Sequence, residues 1–280
     1  IKSFFFLKKN KIDKVISTGG YMTLPVCIAS IFFKSKLFLF EPNMVLGRSN
    51  LIFINQCKKI FCYSSNIKKF PNKYIDKIQV IYPVLKKKIY IYKKYEKKKS
   101  EQKVFLIIGG SQGAKFFQTE FENFLSQISK KFNVLIYHQT NKDNFKKLEN
   151  FYQKNNIPFY LFDFNQSLEN IYIKTDFCIT RAGASTLAEL VYFEVPFLAI
   201  PFPYSKDDHQ LYNAQFYKDQ NCCWIIEQKD IFRENLFEII SNILVDQKDI
   251  QNKKSAMYEF SLNNTWENIN KLITKTIYEN

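Results

Sequence analysis

Short apolar runs recur along this chain, each followed by a turn and then by a stretch whose apolar positions repeat at helical spacing. In the first hundred residues the runs predict strands over 14–18, 37–40, 60–63 and 78–82. Helices are predicted over 23–33, with Pro25 in the first turn where a missing N–H costs nothing, and over 47–57. The alternation resumes with greater regularity at Val104. Strands are predicted over 104–108, 133–138, 158–163, 176–180, 196–200 and 223–226, with helices over 114–130, 142–154, 167–174, 184–193 and 208–219. From Ile231 onward the pattern is helical only. Strands alternating with helices at this spacing predict an α/β fold of two Rossmann-like, doubly wound parallel sheets, with ligands at the carboxyl ends of the strands. Residues 86–103, nearly all Lys, Tyr, Glu and Ile without a clear period, read as an interdomain linker. The expected domains are 1–99, 100–262, and a C-terminal helix over 263–280 that returns to the first.

Composition sharpens this picture at a few points. The chain has only 7 glycines in 280 residues, well below the usual ~7%. They fall in four places: Gly19-Gly20, Gly47, Gly109-Gly110 with Gly113, and Gly183. A chain so poor in glycine is expected to keep it where no other residue fits. The formal charge is +15, yet only Arg48, Arg181 and Arg233 carry guanidinium groups. Nucleic-acid readers lean on Arg forks, so nucleic acid is not expected as a partner. The lysine excess reads first as compositional drift, shared with Phe, Ile, Asn and Tyr, and second as attraction toward an anionic membrane face. Six cysteines without C-x-x-C spacing read as buried free thiols, and two histidines make a histidine-built metal site improbable. No apolar run reaches the ~18 residues of a spanning helix; the nearest, 24–40, is broken by Lys34 and Lys36. The chain opens in mid-pattern and without Met, which predicts that an N-terminal portion is missing.

Candidate chemistry gathers just after the predicted strands of the second half. Ser111 and Gln112 lie in the glycine turn after 104–108, and Asn165 follows Phe162-Asp163-Phe164. Arg181-Ala182-Gly183-Ala184-Ser185-Thr186-Leu187-Ala188-Glu189 follows Cys178-Ile179-Thr180, and Asp207-Asp208-His209-Gln210 follows Ile200-Pro201-Phe202-Pro203. In a parallel sheet these four loops share one edge and line one crevice. Small residues at 182–185 open a helix whose first-turn N–H groups suit a diphosphate. Ser185 and Thr186 add hydroxyls, and Glu189 stands one turn on, where a carboxylate accepts both hydroxyls of a ribose. The plainer alternative makes Ser185 or Thr186 an N-cap and Glu189 a dipole-compensating acid. His209 likewise reads either as a ligand contact or as a surface or capping residue. The glycine turn matches neither G-x-G-x-x-G nor the P-loop, since Phe116 follows Lys115. Asp207 and Asp208 are adjacent and point apart, so no carboxylate pair for acid–base work is expected from them.

At these residues the sequence resembles the MurG-type lipid-linked peptidoglycan N-acetylglucosaminyltransferases, whose fold is GT-B. The resemblance rests on Gly19-Gly20-Tyr21 with Pro25, Glu41-Pro42-Asn43 to Gly47, Gly109 to Ala114, His138-Gln139-Thr140, Arg181-Ala182-Gly183-Ala184 with Glu189, and Asp208-His209-Gln210 with Asn213-Ala214. It implies two Rossmann-like domains facing a cleft, the N-terminal one incomplete here. It also implies inverting, metal-independent transfer of GlcNAc from UDP-GlcNAc to the MurNAc 4-hydroxyl of undecaprenyl-diphospho-MurNAc-pentapeptide, with no cofactor. The enzyme would act peripherally at the cytoplasmic face of the inner membrane, on an anionic surface. By the same resemblance Ser111 contacts the donor diphosphate and Asn165 the uracil. Ala184 to Glu189 hold diphosphate and ribose, Gln210 with His209 reads the GlcNAc, and Asn43 lies on the acceptor side. Glu41, at a strand's carboxyl end, is the candidate base. Two departures stand out. The family's G-G-T-G-G-H loop is absent, and Leu85 followed by Lys86 stands where the family has an arginine on the donor. The alternatives are another GT-B glycolipid transferase, or a UDP-sugar-binding remnant without full activity.

Overall fold

The computed structural model describes residues 2–92, 101–109, 116–117, 121–163, 168–231 and 235–280. These form two compact units, one of Ile1–Val84 with Asn263–Asn280, the other of Leu85–Leu262.

The first unit runs α1 (Lys2–Lys9), β1 (Lys14–Ser17), α2 (Leu24–Phe32), β2 (Lys36–Glu41), α3 (Arg48–Phe53), β3 (Ile60–Cys62) and β4 (Ile78–Val80). Its strands are all parallel and follow chain order, β1-β2-β3-β4. Leu37, Phe38 and Leu39 are buried on both faces of β2, which is why that strand reads as a continuous apolar run. Helix α3 is shorter than the expected 47–57. The Lys77 ammonium donates to the carbonyls of Ile54, Asn55 and Cys57 at 2.8–2.9 Å. These carbonyls lie just past Phe53, so one ammonium satisfies the acceptors of the turn in which the chain leaves the helix. The C-terminal helix Trp266–Glu279 belongs to this unit. The Thr265 hydroxyl caps it by accepting from the Asn268 N–H, and the Asn264 amide donates to the Pro83 carbonyl at 3.1 Å.

The second unit begins with α4 (Lys87–Ile91) and β5 (Lys103–Ile108), followed by α5 (Glu122–Lys131), β6 (Val134–Gln139), α6 (Phe145–Lys154) and β7 (Phe159–Phe162). Then come α7 (Glu169–Tyr172), β8 (Phe177–Thr180), α8 (Ala184–Tyr192), β9 (Phe197–Ala199), α9 (His209–Asp219), β10 (Trp224–Ile225), α10 (Gln228–Ile231), α11 (Leu236–Val245) and α12 (Gln247–Ser261). The strands are parallel in the order β10-β9-β8-β5-β6-β7. The chain therefore winds outward from β5 in one direction, returns, and winds outward from β8 in the other. Phe105 to Ile108 and Phe177 to Ile179 are buried, so the two central strands are covered by helices on both faces.

The start of the expected linker is part of this unit's core. Leu85, just before α4, and Ile89 within it are buried against Ala188 of α8, and the Tyr90 and Tyr192 rings meet edge to face at 5.5 Å. Residues 93–100 lie outside the described residues.

Candidate functional site

A reversal of strand order in a parallel sheet leaves a crevice outside the strand ends, because the loops on either side turn to opposite faces. In the second unit the reversal falls between β5 and β8, so the crevice is flanked by Gly109 at the end of β5 and by Arg181-Ala182-Gly183. Gly110 to Lys115 and 164–167 lie outside the described residues, and with them the expected contacts Ser111 and Asn165.

Helix α8 opens at this crevice. Its N-cap is Gly183, with extended backbone (φ −70°, ψ 132°) and no capping side chain. Ser185 and Thr186 therefore do not cap the helix, and of the two sequence alternatives the N-cap reading falls. The first N–H that turns back into the helix is that of Leu187, which donates to the Gly183 carbonyl at 3.0 Å. The N–H groups of Ala184, Ser185 and Thr186 precede it and point out of the helix end. Leu187 and Ala188, expected among the ligand contacts, are turned away: both side chains are buried in the core, against different clusters. Leu187 packs against the strands of the sheet, and Ala188 against Leu85 and Ile89. Within 184–189, the groups left to a ligand are three N–H groups, two hydroxyls and the Glu189 carboxylate.

Glu189 is 9% exposed and accepts from the Tyr172 hydroxyl at 3.0 Å through Oε2. Its other oxygen has no protein partner among the described residues. Burial raises its pKa above the usual carboxylate value, opposed by the Tyr172 hydrogen bond and by the charge of Lys86. Gln210 is oriented without ambiguity. Its Oε1 accepts from the backbone N–H of Ala182 at 3.1 Å and of Phe202 at 3.0 Å. Two N–H donors fix which end of the amide is oxygen, so Nε2 is left as a donor beside the mouth of α8. Asn213, one turn further along α9, donates to the Ala182 carbonyl at 3.2 Å. Both polar groups of the residue two before α8 are thus held by α9. His209 Nδ1 lies 2.8 Å from the Lys206 carbonyl. A carbonyl only accepts, so Nδ1 carries a proton and donates it, and Nε2 is the ring nitrogen left without a protein partner among the described residues.

Arg181 is a scaffold rather than an exposed cation. It is buried, with Nη1 donating to the carbonyls of Ile200 and Pro201 at 3.1 and 3.2 Å and Nη2 to Gln228 Oε1 at 2.6 Å. The rings of Phe116, Phe117 and Phe202 lie within 5.5 Å of the guanidinium. One side chain therefore ties the ends of β8 and β9 to α10. Burial lowers its pKa to about 10, which leaves it charged at neutral pH.

His138-Gln139-Thr140 forms the buried end of β6 rather than an open lip. His138 Nδ1 meets the Tyr152 hydroxyl at 2.8 Å, Nε2 has no partner among the described residues, and burial lowers the ring's pKa to about 3. A group whose folded pKa lies below its unfolded value of ~6.5 contributes stability that is complete above ~6.5 and is lost as pH falls toward the folded value. At ~1.4 kcal/mol per pH unit, the second unit is expected to lose about 2 kcal/mol between pH 6.5 and 5 from this ring alone. Urea unfolding of wild type and His138→Leu at pH 7 and 5 measures it. Parallel pH dependences in the two proteins would remove the ring from the account.

In the first unit, the expected base is a brace. Glu41 is 3% exposed and accepts four hydrogen bonds. The backbone N–H and side-chain amide of Asn43 reach Oε1 at 3.2 and 3.1 Å, and the Gly47 N–H and Asn50 amide reach Oε2 at 2.7 and 3.0 Å. Asn43, expected on the acceptor side, is thus committed through its amide to the same loop. A Cβ at Gly47 would stand 2.9 Å from Glu41 Oε2, which explains glycine at this position. A carboxylate whose oxygens already accept from four protein donors has no place for a substrate proton, so the general-base assignment of Glu41 is corrected here to loop positioning.

Sequence reasoning missed Tyr172, Glu169 and Lys88. Tyr172 lies 17 positions from Glu189 on a different helix, and Glu169 pairs with Lys88 of α4 at 2.8 Å. No local signal announces either contact; only the sheet's winding brings α4, α7 and α8 together.

Comparison with known proteins bears on this geometry. Residues 104–270 match the model of the glycosyltransferase family 28 C-terminal domain, and residues 1–62 that of its N-terminal domain. The UDP-N-acetylglucosamine–N-acetylmuramyl-(pentapeptide) pyrophosphoryl-undecaprenol N-acetylglucosamine transferase of Pelagibacter ubique is 49% identical over 279 residues, covering 100% of this chain and 78% of that protein. The transferase of the same name from Rickettsia bellii is 34% identical over 85% of this chain and 68% of its own length. Among solved structures, MurG of Acinetobacter baumannii superposes with a TM-score of 0.78 at 21% identity, over 99% of this chain and 78% of that one. The UDP-GlcNAc 2-epimerase of Neisseria meningitidis, bound to UDP-GlcNAc, gives 0.67 at 12% identity, over 99% and 79%. The fold of the two units is therefore GT-B.

Proposed function

The chain belongs to glycosyltransferase family 28, and from that membership we propose the residue roles by which it moves GlcNAc from UDP-GlcNAc onto undecaprenyl-pyrophosphoryl-N-acetylmuramyl-pentapeptide, the reaction of a MurG-type N-acetylglucosaminyltransferase. The donor occupies the crevice of the second unit. Its diphosphate sits on the N–H groups of Ala184, Ser185 and Thr186 with the two hydroxyls beside them, where the helix dipole favours negative charge. Ser111 adds a further hydroxyl from the glycine turn, and Asn165 meets the uracil. Glu189 accepts from the ribose hydroxyls. Gln210 Nε2 donates to a GlcNAc hydroxyl, with His209 beside it.

As the glycosidic bond breaks, negative charge grows on the departing UDP. Preorganised N–H and O–H donors stabilise that charge most where it develops, which lowers the barrier without a metal. The observation that supports the reading is Gln210 pinned by its oxygen to the Ala182 N–H, which holds its amide nitrogen beside the start of α8. On the first unit, Phe5, Phe6, Ile28 and Phe32 are exposed on α1 and α2, whose Phe4 and Phe32 rings touch at 5.3 Å. Exposed Lys2, Lys8, Lys9 and Lys34 accompany them. Apolar rings ringed by lysine suit the anionic, cytoplasmic face of a membrane, reached from the surface. Among the described residues no helix is long and apolar enough to cross one.

Calorimetry with UDP-GlcNAc and UDP-galactose tests the donor site. UDP-GlcNAc is expected to bind more tightly, and Glu189→Ala to weaken it by roughly 1.5–3 kcal/mol, the range for a hydrogen bond to a charged group. No binding of either sugar nucleotide at millimolar concentration would sink the reading.

A further inference from the structure

Glu189 is not a solitary carboxylate. Tyr172, 1% exposed, directs its hydroxyl at Oε2, and its ring is held by Phe193 at a centroid distance of 5.4 Å. The environment of that hydroxyl contains carboxylates, Glu189 on one side and Glu169 one helical turn away on α7. A phenol among acids keeps its proton and donates it. Glu169 is itself buried, ion-paired to Lys88 at 2.8 Å through Oε1, with Oε2 unpartnered among the described residues. The charged groups facing Glu189 are thus Lys86 just before α4, Lys88 within it, and Glu169 from α7. Tyr172 is the only protein hydrogen-bond donor to the Glu189 carboxylate among the described residues.

We infer that Tyr172 is a positioning residue that locks the Glu189 carboxylate for ribose recognition, and that it thereby sets a preference for ribonucleotides over nucleotides lacking the ribose hydroxyls. The inference rests on the reading that Glu189 receives the ribose. With Oε2 anchored, rotation of the carboxylate is stopped and Oε1 is held facing outward as a pure acceptor. Such an acceptor is satisfied by a diol. A sugar without hydroxyls buries it unpaired, and a site built to hydrogen-bond a hydroxyl rejects the analogue that lacks it. Without the anchor the carboxylate turns toward water or toward Lys86, and the advantage of the diol is lost.

The test is a binding matrix of UDP and 2′,3′-dideoxy-UDP against wild type, Tyr172→Phe and Glu189→Gln, with thermal melts to establish folding. Phe keeps the ring that packs on Phe193 and removes only the hydroxyl. Tyr172→Phe is expected to weaken UDP about tenfold while changing dideoxy-UDP less than twofold, so that selectivity collapses toward that of Glu189→Gln. Equal weakening of both nucleotides, or unchanged selectivity in Tyr172→Phe while Glu189→Gln loses it, overturns the inference and leaves the ribose assignment standing. Unchanged selectivity in Glu189→Gln overturns the ribose assignment itself, and the inference with it.

Discussion

Replacing Arg181 by alanine is expected to lower the stability of the second unit by about 3–5 kcal/mol, the cost of breaking a buried charged network. The guanidinium supplies three hydrogen bonds, two of them to the carbonyls at the end of β9. Its loss leaves those acceptors unpaired and opens a void between the rings of Phe116, Phe117 and Phe202. At roughly 2–4 °C per kcal/mol for a domain of this size, the melting midpoint falls by about 10 °C. Arg181→Lys keeps the charge and loses the planar fork, so it recovers only part of the deficit. Donor affinity falls in both variants because Ala182 and Gly183, which open α8, are next in the chain. A variant that melts like wild type yet fails to bind UDP-GlcNAc would instead make Arg181 a ligand contact.

The second large effect concerns Glu41. All four groups that face its oxygens are donors, so Glu41→Gln turns an NH2 toward N–H groups and is expected to cost about as much as Glu41→Ala, roughly 3 kcal/mol or more. Gly47→Ala pushes a Cβ toward the same carboxylate and is expected to fall in the same direction. Chemical denaturation together with kcat separates bracing from catalysis. A Glu41→Gln protein as stable as wild type, with kcat reduced a hundredfold or more, would return the residue to the role of base.

Much of the architecture is legible in the chain because it is written in local periodicity. The runs 104–108 and 176–180 are strands within a residue of their expected limits, and α8 opens one residue after Gly183 as expected. The helix boundaries that differ have tertiary causes. Lys77, 20 or more residues away, holds the carbonyls of Ile54 and Cys57 in the turn that follows α3. Leu85 and Ile89 turn the head of a lysine-rich run into core because Ala188 offers a surface for them.

The sequence by itself determined the alternation of strands and helices, the positions of the sparse glycines, and the polar loops that follow the strands. These depend on spacing within a dozen residues. Which strands lie side by side depends on contacts far apart in the chain, and only the tertiary structure decided it. The order β10-β9-β8-β5-β6-β7 puts the reversal between β5 and β8 and so selects, among several polar loops, the pair that frames a crevice. The same long-range packing decided the state of each acid. Glu41 and Glu189 both stand among polar loop residues in sequence. In the fold, one carboxylate is saturated by four protein donors, whereas the other has one oxygen without a protein partner among the described residues, because Tyr172 donates to it from only one side.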